Sequence, residues 1–312
     1  MNICQDIEFF DAAQGASREA FELWRAVFTS WSEETCSIIA DRLQSGLRAG
    51  TVRLPAVRLR REGKLIAALR LEYSSYAGPV KGEFRRGVHV GEVAVSPELQ
   101  GCGAGTFLME KTVELLKEET PGADFACLGG YVNFYRRFGF VPVDGVVRLE
   151  LPLTPERGGT KRFPLPERLP RPESALIRPF DPAADGAAVT ELQKAAPGER
   201  IFDRKMLERE FIFRKATSEL DCFVTPGADG KPCGYLFRSG SGIYSMGYTD
   251  SKTRDILFAE ALHRIADSGA QSLTVSCDPD GTEAYFREKQ LPFRRIAAVG
   301  GICSAMKLEL KH

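Results

Sequence analysis

The stretch VAVSPELQGCGAGTFLMEK, Val93 to Lys111, sets three glycines within five positions, Gly101, Gly103 and Gly105, directly ahead of an amphipathic run. A helix start needs one capping side chain, not a glycine-rich hook. A hook of this kind lets several backbone N–H groups converge on one anion. It does so at the end of a helix where the peptide dipoles sum to roughly half a positive elementary charge. Glycine accepts positive φ and allows a bulky phosphate close to the backbone. The order strand, hook, helix therefore predicts a phosphate or pyrophosphate site over residues 100–106.

Two common phosphate loops do not fit. A nucleotide-triphosphate loop needs Gly-Lys-Ser/Thr, and no lysine follows Gly103 or Gly105. A dinucleotide fingerprint needs a third glycine where Leu108 stands. A third pattern, Gln/Arg-x-x-Gly-x-Gly/Ala, fits Gln100-Gly101-Cys102-Gly103-Ala104-Gly105 fully. Downstream, LGGYVNFYRRFGFVPV carries Tyr135-Arg136-Arg137-Phe138-Gly139-Phe140 on a short expected helix. With the Ser96-Pro97-Glu98 step and the long helix after the hook, these residues resemble the acyl-CoA loop and the Tyr-x-x-x-Gly-Phe segment of the GNAT superfamily of N-acyltransferases.

That resemblance covers residues 1–150 by motif and residues 175–312 by element order alone. It implies an α/β (α+β) protein of two tandem GNAT-like domains, each a mixed, mostly antiparallel twisted sheet flanked by helices. It also implies acetyl-CoA as co-substrate, with no metal, and direct acetyl transfer to a primary amine of a small molecule or peptide. Two strands would part where the pantetheine enters, Val93, Ala94 and Val95 on one side and residues 126–128 on the other. Val93 and Val95 would pair with the pantetheine amides as an edge strand accepts a peptide. Gln100, Gly101, Cys102, Gly103, Ala104, Gly105 and Thr106 would hold the pyrophosphate.

The chemistry needs an acid for the leaving thiolate and a base for the amine, since an alkyl ammonium with pKa ~10 has no lone pair at pH 7. Tyr135 stands where the superfamily keeps the tyrosine that protonates the sulfur, and a phenol suits that task. For the base, His89 and Glu92 both lie on the strand before the hook, and water-mediated deprotonation stands beside them. Strict alternation puts 89, 91, 93 and 95 on one face and 92 and 94 on the other, unless a bulge intervenes. A nucleophilic Cys102 lacks a histidine near it in sequence. Asn133 is displaced by its count from Tyr135, and Gly130 instead matches the branch with Leu-x-Gly before this helix. Trp24, Trp31, Tyr73 and Tyr76 line either an acceptor pocket or the core.

The whole chain has 312 residues, enough for two domains. Lys plus Arg and Asp plus Glu each number 42, so the net charge is +0, and binding driven by nucleic-acid phosphates is disfavoured. Eight scattered cysteines without C-x-x-C spacing read as free thiols in a reducing compartment. His89, His263 and His312 are too few and too scattered for a zinc site. No signal peptide or membrane-spanning run is expected, and the reading is cytoplasmic.

Leu151 to Phe180 holds seven prolines and a Gly-Gly pair, which breaks helices and central strands. The expected division is a catalytic domain 1–152, a proline-rich linker 153–174 and a degenerate domain 175–312. The first half predicts strands at 6–10, 56–76 (two, around Glu62-Gly63), 87–96 and 124–130, and closing strands at 140–151. Helices are expected at 17–31 with Ser17 as cap, at 35–47, at 105–119 stopped by Pro121-Gly122, and at 133–139. The same order returns after 175, with helices at 181–196, 203–215, 254–269 and 283–290 and closing strands at 293–310. In the second copy DSKTRDILF replaces the hook without a glycine, and Arg287 stands near the tyrosine position. This half would wall the substrate cleft or form a homodimer, with the acceptor at a seam. A CoA-binding sensor or scaffold is the alternative function, and a nicotinamide or flavin oxidoreductase is disfavoured by Leu108.

Overall fold

A computed structural model of the chain describes residues 6–80, 82–118, 122–143, 146–150, 169–196, 199–202, 207–208, 211, 220–270, 272–296 and 302–310. The chain forms two compact units: residues 1–75, 85–142 and 300–312, and residues 76–84 and 143–299. The expected linker from 153 to 168, the stop at Pro121 and most of the helix expected at 203–215 lie outside the described residues.

The first unit starts with β1 (Ile7–Asp11), α1 (Ser17–Val27), α2 (Glu33–Ala49), β2 (Val52–Arg53), β3 (Pro55–Leu59) and β4 (Leu65–Ala77). Ser17 is the first helical residue of α1 rather than its cap, and Ala16 precedes it without a side-chain bond. α2 is closed properly at both ends, by the Ser32 hydroxyl accepting from the Thr35 N–H and by Gly50 in the left-handed region. Next come β5 (Phe84–Val95), α3 (Ala104–Glu118), β6 (Phe125–Tyr131), α4 (Val132–Tyr135) and β7 (Val141–Pro142).

The second unit takes β8 (Val146–Glu150), β9 (Arg178–Pro179), α5 (Pro182–Ala195), β10 (Arg200–Ile201), β11 (Leu220–Pro226), β12 (Pro232–Ser239) and β13 (Gly242–Tyr248). It ends with α6 (Ser251–Asp267), β14 (Ser272–Val275), α7 (Pro279–Glu288) and β15 (Phe293–Ile296). The last strand of the chain, β16 (Ile302–Glu309), belongs to the first unit.

The first sheet runs β1-β3-β4-β5-β6-β16-β7 and the second β9-β11-β12-β13-β14-β8-β15. Position by position the two orders are the same, which supports the duplication. One expectation is overturned. The strand at 146–150 does not close the first sheet: β8 pairs antiparallel with β14 and β15 in the second. β16 takes the equivalent slot between β6 and β7 in the first. Each sheet is thus completed by the final strand of the other repeat.

In the first unit the core lies on both faces of the sheet. Leu108, Met109, Val113 and Leu116 of α3 pack with Leu69, Leu71, Val88 and Val90 on one face. Ala20, Leu23 and Trp24 of α1 and Leu43 of α2 pack with Leu54, Ala56 and Ala68 on the other. Trp24 and Tyr73 are therefore core residues, and Trp31 stacks on Phe28 at 5.0 Å.

Candidate active site

β5 and β6 are parallel neighbours only over Gly87–Phe125, Val88–Ala126 and His89–Cys127. Beyond that register the strands part, while β6 continues along β16 as far as Tyr131. Ala126 and Cys127, expected on the far side of the opening from Val93–Val95, are instead still paired with Val88 and His89, and the strands part only beyond them.

The hook joins the end of β5 to the start of α3. Gly101 and Gly103 hold φ of +78° and +91°, which a side chain disfavours. Gly103 stands at the cap position, its carbonyl accepting the Phe107 N–H at 3.0 Å. A glycine there offers no side chain to the N–H groups of Ala104, Gly105 and Thr106, the first turn of α3, which have no partner inside the helix. By contrast α2, α5, α6 and α7 are all capped by a Ser or Asp side chain. The first turn of α3 also holds no acidic residue. Gly105 serves packing as well: a methyl there would stand 3.1 Å from Val95 Cγ2. Cys102 is half-buried within the loop. Gln100 turns its amide to the Val95 carbonyl at 3.3 Å, so that carbonyl is already engaged.

The second motif meets the first. Phe134 packs against Gly105, its Cζ 3.9 Å from where a methyl would stand. The Arg137 guanidinium donates to Thr106 Oγ1 at 3.3 Å and lies over the Phe134 ring. Arg137 adds a cation beside the first turn of α3, a feature the sequence reading missed. Tyr135 is buried, edge-on to Phe134, and burial pushes its phenol up from the ordinary value. Gly130 makes its room, because a methyl there would come within 2.5 Å of Tyr135 Cε2. Asn133 is exposed.

Strict alternation fails on β5. Val88 and Val90 face α3, and so do Val93 and Val95, whereas Ala94 packs under α1 and α2. The phase slips at Glu92, whose φ is +45°. That is a bulge, one extra residue that turns the strand over. It brings His89 and Glu92 together on the α1/α2 face, with His89 Cε1 only 3.2 Å from where a methyl on Gly91 would stand. Behind them lies a buried charge network. Arg70 Nε and Nη2 donate to the two Glu92 carboxylate oxygens at 2.5 and 3.1 Å. Arg70 Nη1 donates to Glu72, which Arg42 of α2 also binds through both oxygens, at 3.1 and 2.9 Å. Burial alone would raise the Glu92 carboxyl, but the Arg70 charge outweighs it and holds the group below the usual carboxylate range.

The second unit has the same frame with its opening filled. β13 and β14 are paired only at Gly242–Thr274 and Ile243–Val275. Just beyond, the Tyr248 hydroxyl donates to Asp278 Oδ2 at 2.5 Å. Asp250 caps α6, accepting the Thr253 N–H at 2.8 Å, and so puts a carboxylate where the first unit leaves amides open. The left-handed residues Gly139 and Gln290 mark matching ends of the short helices. Counting back from them places Phe286, not Arg287, opposite Tyr135. Phe286 is fully buried and has no hydroxyl to donate. A cavity of about 490 Å³ in this unit, lined by Leu169, Lys252 and Tyr285 among others, does not touch the hook.

Residues 11–143 match the family model described as Acetyltransferase (GNAT) domain. That segment contains the hook, the parted strands and Tyr135, and over it the chain is similar to a GNAT acetyltransferase domain. No curated protein matches the chain. Among solved structures, a probable N-acyltransferase of unknown function from Enterococcus faecalis V583 is similar over 97% of this chain and 72% of its own, at 15% identity and TM-score 0.68. A GCN5-related N-acetyltransferase from Kribbella flavida is similar over 97% and 70%, at 15% identity and TM-score 0.63. A tandem GNAT protein from the clavulanic acid biosynthesis pathway is similar over 98% and 99%, at 14% identity and TM-score 0.52. Likeness at this identity shows the fold, a GNAT fold present in tandem. Among the described residues no helix is long and apolar enough to cross a membrane.

Proposed function

We propose that the chain is an N-acetyltransferase that passes an acetyl group from acetyl-CoA directly to a primary amine of a small molecule or peptide. The observation that carries this reading is the hook. Amides of Gly103 to Thr106 converge at the start of α3, without a competing side-chain cap, beside two parallel strands that part. In this reading the diphosphate sits on those amides with Arg137 beside it, and the pantetheine lies along Val93, Ala94 and Val95.

The amine nitrogen attacks the thioester carbonyl, the C–N bond forms and the C–S bond breaks. Tyr135 gives its phenolic proton to the departing thiolate, the second proton shed by nitrogen as the neutral amide forms restores the phenol through water, and burial keeps that phenol protonated until the transfer. Glu92, kept ionised by Arg70, draws the acceptor's ammonium to the α1/α2 side. A carboxylate held this low is a weak base, so the ammonium proton leaves through His89 or water. The second unit, with its own opening filled by the Tyr248–Asp278 bond and the Asp250 cap, holds no donor in this reading.

The test is a turnover screen with acetyl-CoA against a panel of primary amines, reading free thiol. Thiol release that requires both acetyl-CoA and one class of amine is expected. Binding of acetyl-CoA with no thiol release from any amine would reduce the protein to a CoA-binding module.

A further inference from the structure

We propose that Arg70 is a positioning residue for acyl transfer, its guanidinium holding the Glu92 carboxylate at the break in β5 where the acceptor's ammonium arrives. The proposal rests on the reading of the first unit as an amine acetyltransferase. Arg70 lies on β4 and does not reach the hook; it acts through its neighbour.

Several observations meet at this side chain. Arg70 is buried, only 6% exposed, in the middle of a sheet. A charge is placed there only with close compensation. Its fork grips both oxygens of Glu92, a geometry that fixes direction as well as distance. Glu92 sits at φ +45°, a conformation that strains a non-glycine residue and persists only where its surroundings impose it. Gly91 leaves the space: a methyl there would stand 3.0 Å from Arg70 Nη2. The opposite side of the guanidinium is fixed by Glu72, itself anchored to Arg42 on α2.

The charged and titratable groups facing Glu92 are thus Arg70 and Glu72 from β4, His89 from β5 and Arg42 from α2. Two cations and two carboxylates balance, so the network has no net charge to spare for an incoming ammonium. Attraction must come from the direction in which the Glu92 lone pairs point, not from excess charge. The Arg70 fork occupies one lone pair on each oxygen and leaves the others pointing away. A lysine in its place would keep the charge and lose the direction.

The experiment uses the full chain with Glu carboxyl carbons labelled with carbon-13, the Glu92 signal being assigned by its loss in Glu92→Gln. Its pH titration is followed in the unaltered protein and in Arg70→Lys. In the same preparations kcat/KM is measured with acetyl-CoA and the amine that turns over fastest in the panel. Arg70→Lys is expected to move the Glu92 titration to higher pH and to lower kcat/KM about ten- to a hundredfold, the scale of a misplaced reactive group. Acetyl-CoA affinity should stay within about twofold. Glu92→Gln should give a loss of similar size.

An unmoved Glu92 titration overturns the proposal. So does a moved titration with unchanged kcat/KM, since Arg70 would then only support the fold. Full activity in Glu92→Gln overturns it too while leaving the transferase reading intact. Absence of thiol release from every amine removes that reading, and the role of Arg70 with it. If Arg70→Lys does not fold, Gly91→Ala displaces the same guanidinium without replacing it, and the same readings apply.

Discussion

Tyr135 is held by three neighbours, Gly130 beneath its ring, Phe134 edge-on and Phe140 at 6.3 Å. Removing only its hydroxyl, Tyr135→Phe, should lower kcat by one to two powers of ten and leave acetyl-CoA affinity unchanged, since the packing stays and the acid is lost. Burial raises the folded-state pKa of this phenol, so its proton is retained past the ordinary phenol range. The alkaline limb of kcat should therefore lie above about pH 10 and vanish in Tyr135→Phe. A rate that is the same in both proteins at every pH would remove Tyr135 from the chemistry. The sequence alone was enough to point to Tyr135, because its motif is local. Arg70 and Arg137 were not legible, because their partners lie 22 and 31 residues away on other elements. Nor was the flip at Glu92: residue spacing gives alternation, and a bulge is set by neighbouring strands and by Arg70.

At the level of elements, the hook and the filled opening are the two ends of one comparison. Gly103→Ala puts a side chain at φ +91° and should cost about 1 kcal/mol in stability while weakening acetyl-CoA binding tenfold or more, measured by titration calorimetry. Binding left intact would show that the hook only starts α3. In the second unit, Glu199 is buried and accepts from Ser245 Oγ at 3.0 Å, and burial pushes its carboxyl up to about 8. A carboxyl raised in the folded state stabilises that state fully below the unfolded pKa near 4.5, and the benefit is lost as pH rises to about 8. Glu199→Gln should therefore match the unaltered protein in Tm near pH 5 and exceed it near pH 8.5, by thermal melts at the two pH values. Equal melting at both would mean that Glu199 is solvated. That the second hook was lost could be read from DSKTRDILF, which lacks glycine. How it was replaced could not, because the Asp250 cap and the Tyr248–Asp278 bond depend on folding.

Over the whole molecule, the repeat was legible in element order, and the exchange of closing strands was not. The apolar pattern of 146–150 specifies which face of a sheet the strand covers, but either sheet offers such a face. The choice is made by pairing, β8 with β14 and β15, β16 with β6 and β7. A chain ending at Val299 would thus lose a central strand of the first sheet, not of the second. We expect it to lose acetyl-CoA binding, with a peptide of residues 300–312 restoring it in part. Retained affinity without the peptide would contradict the role given to β16. All of this serves one site, and the most direct test of that site is an amide NMR titration with acetyl-CoA in the full chain. The account predicts that the amides of Gly101, Gly103, Ala104, Gly105 and Thr106 shift first and furthest, saturating with the donor and unmoved by NAD. Amides of the hook that stay in place while others shift would contradict it.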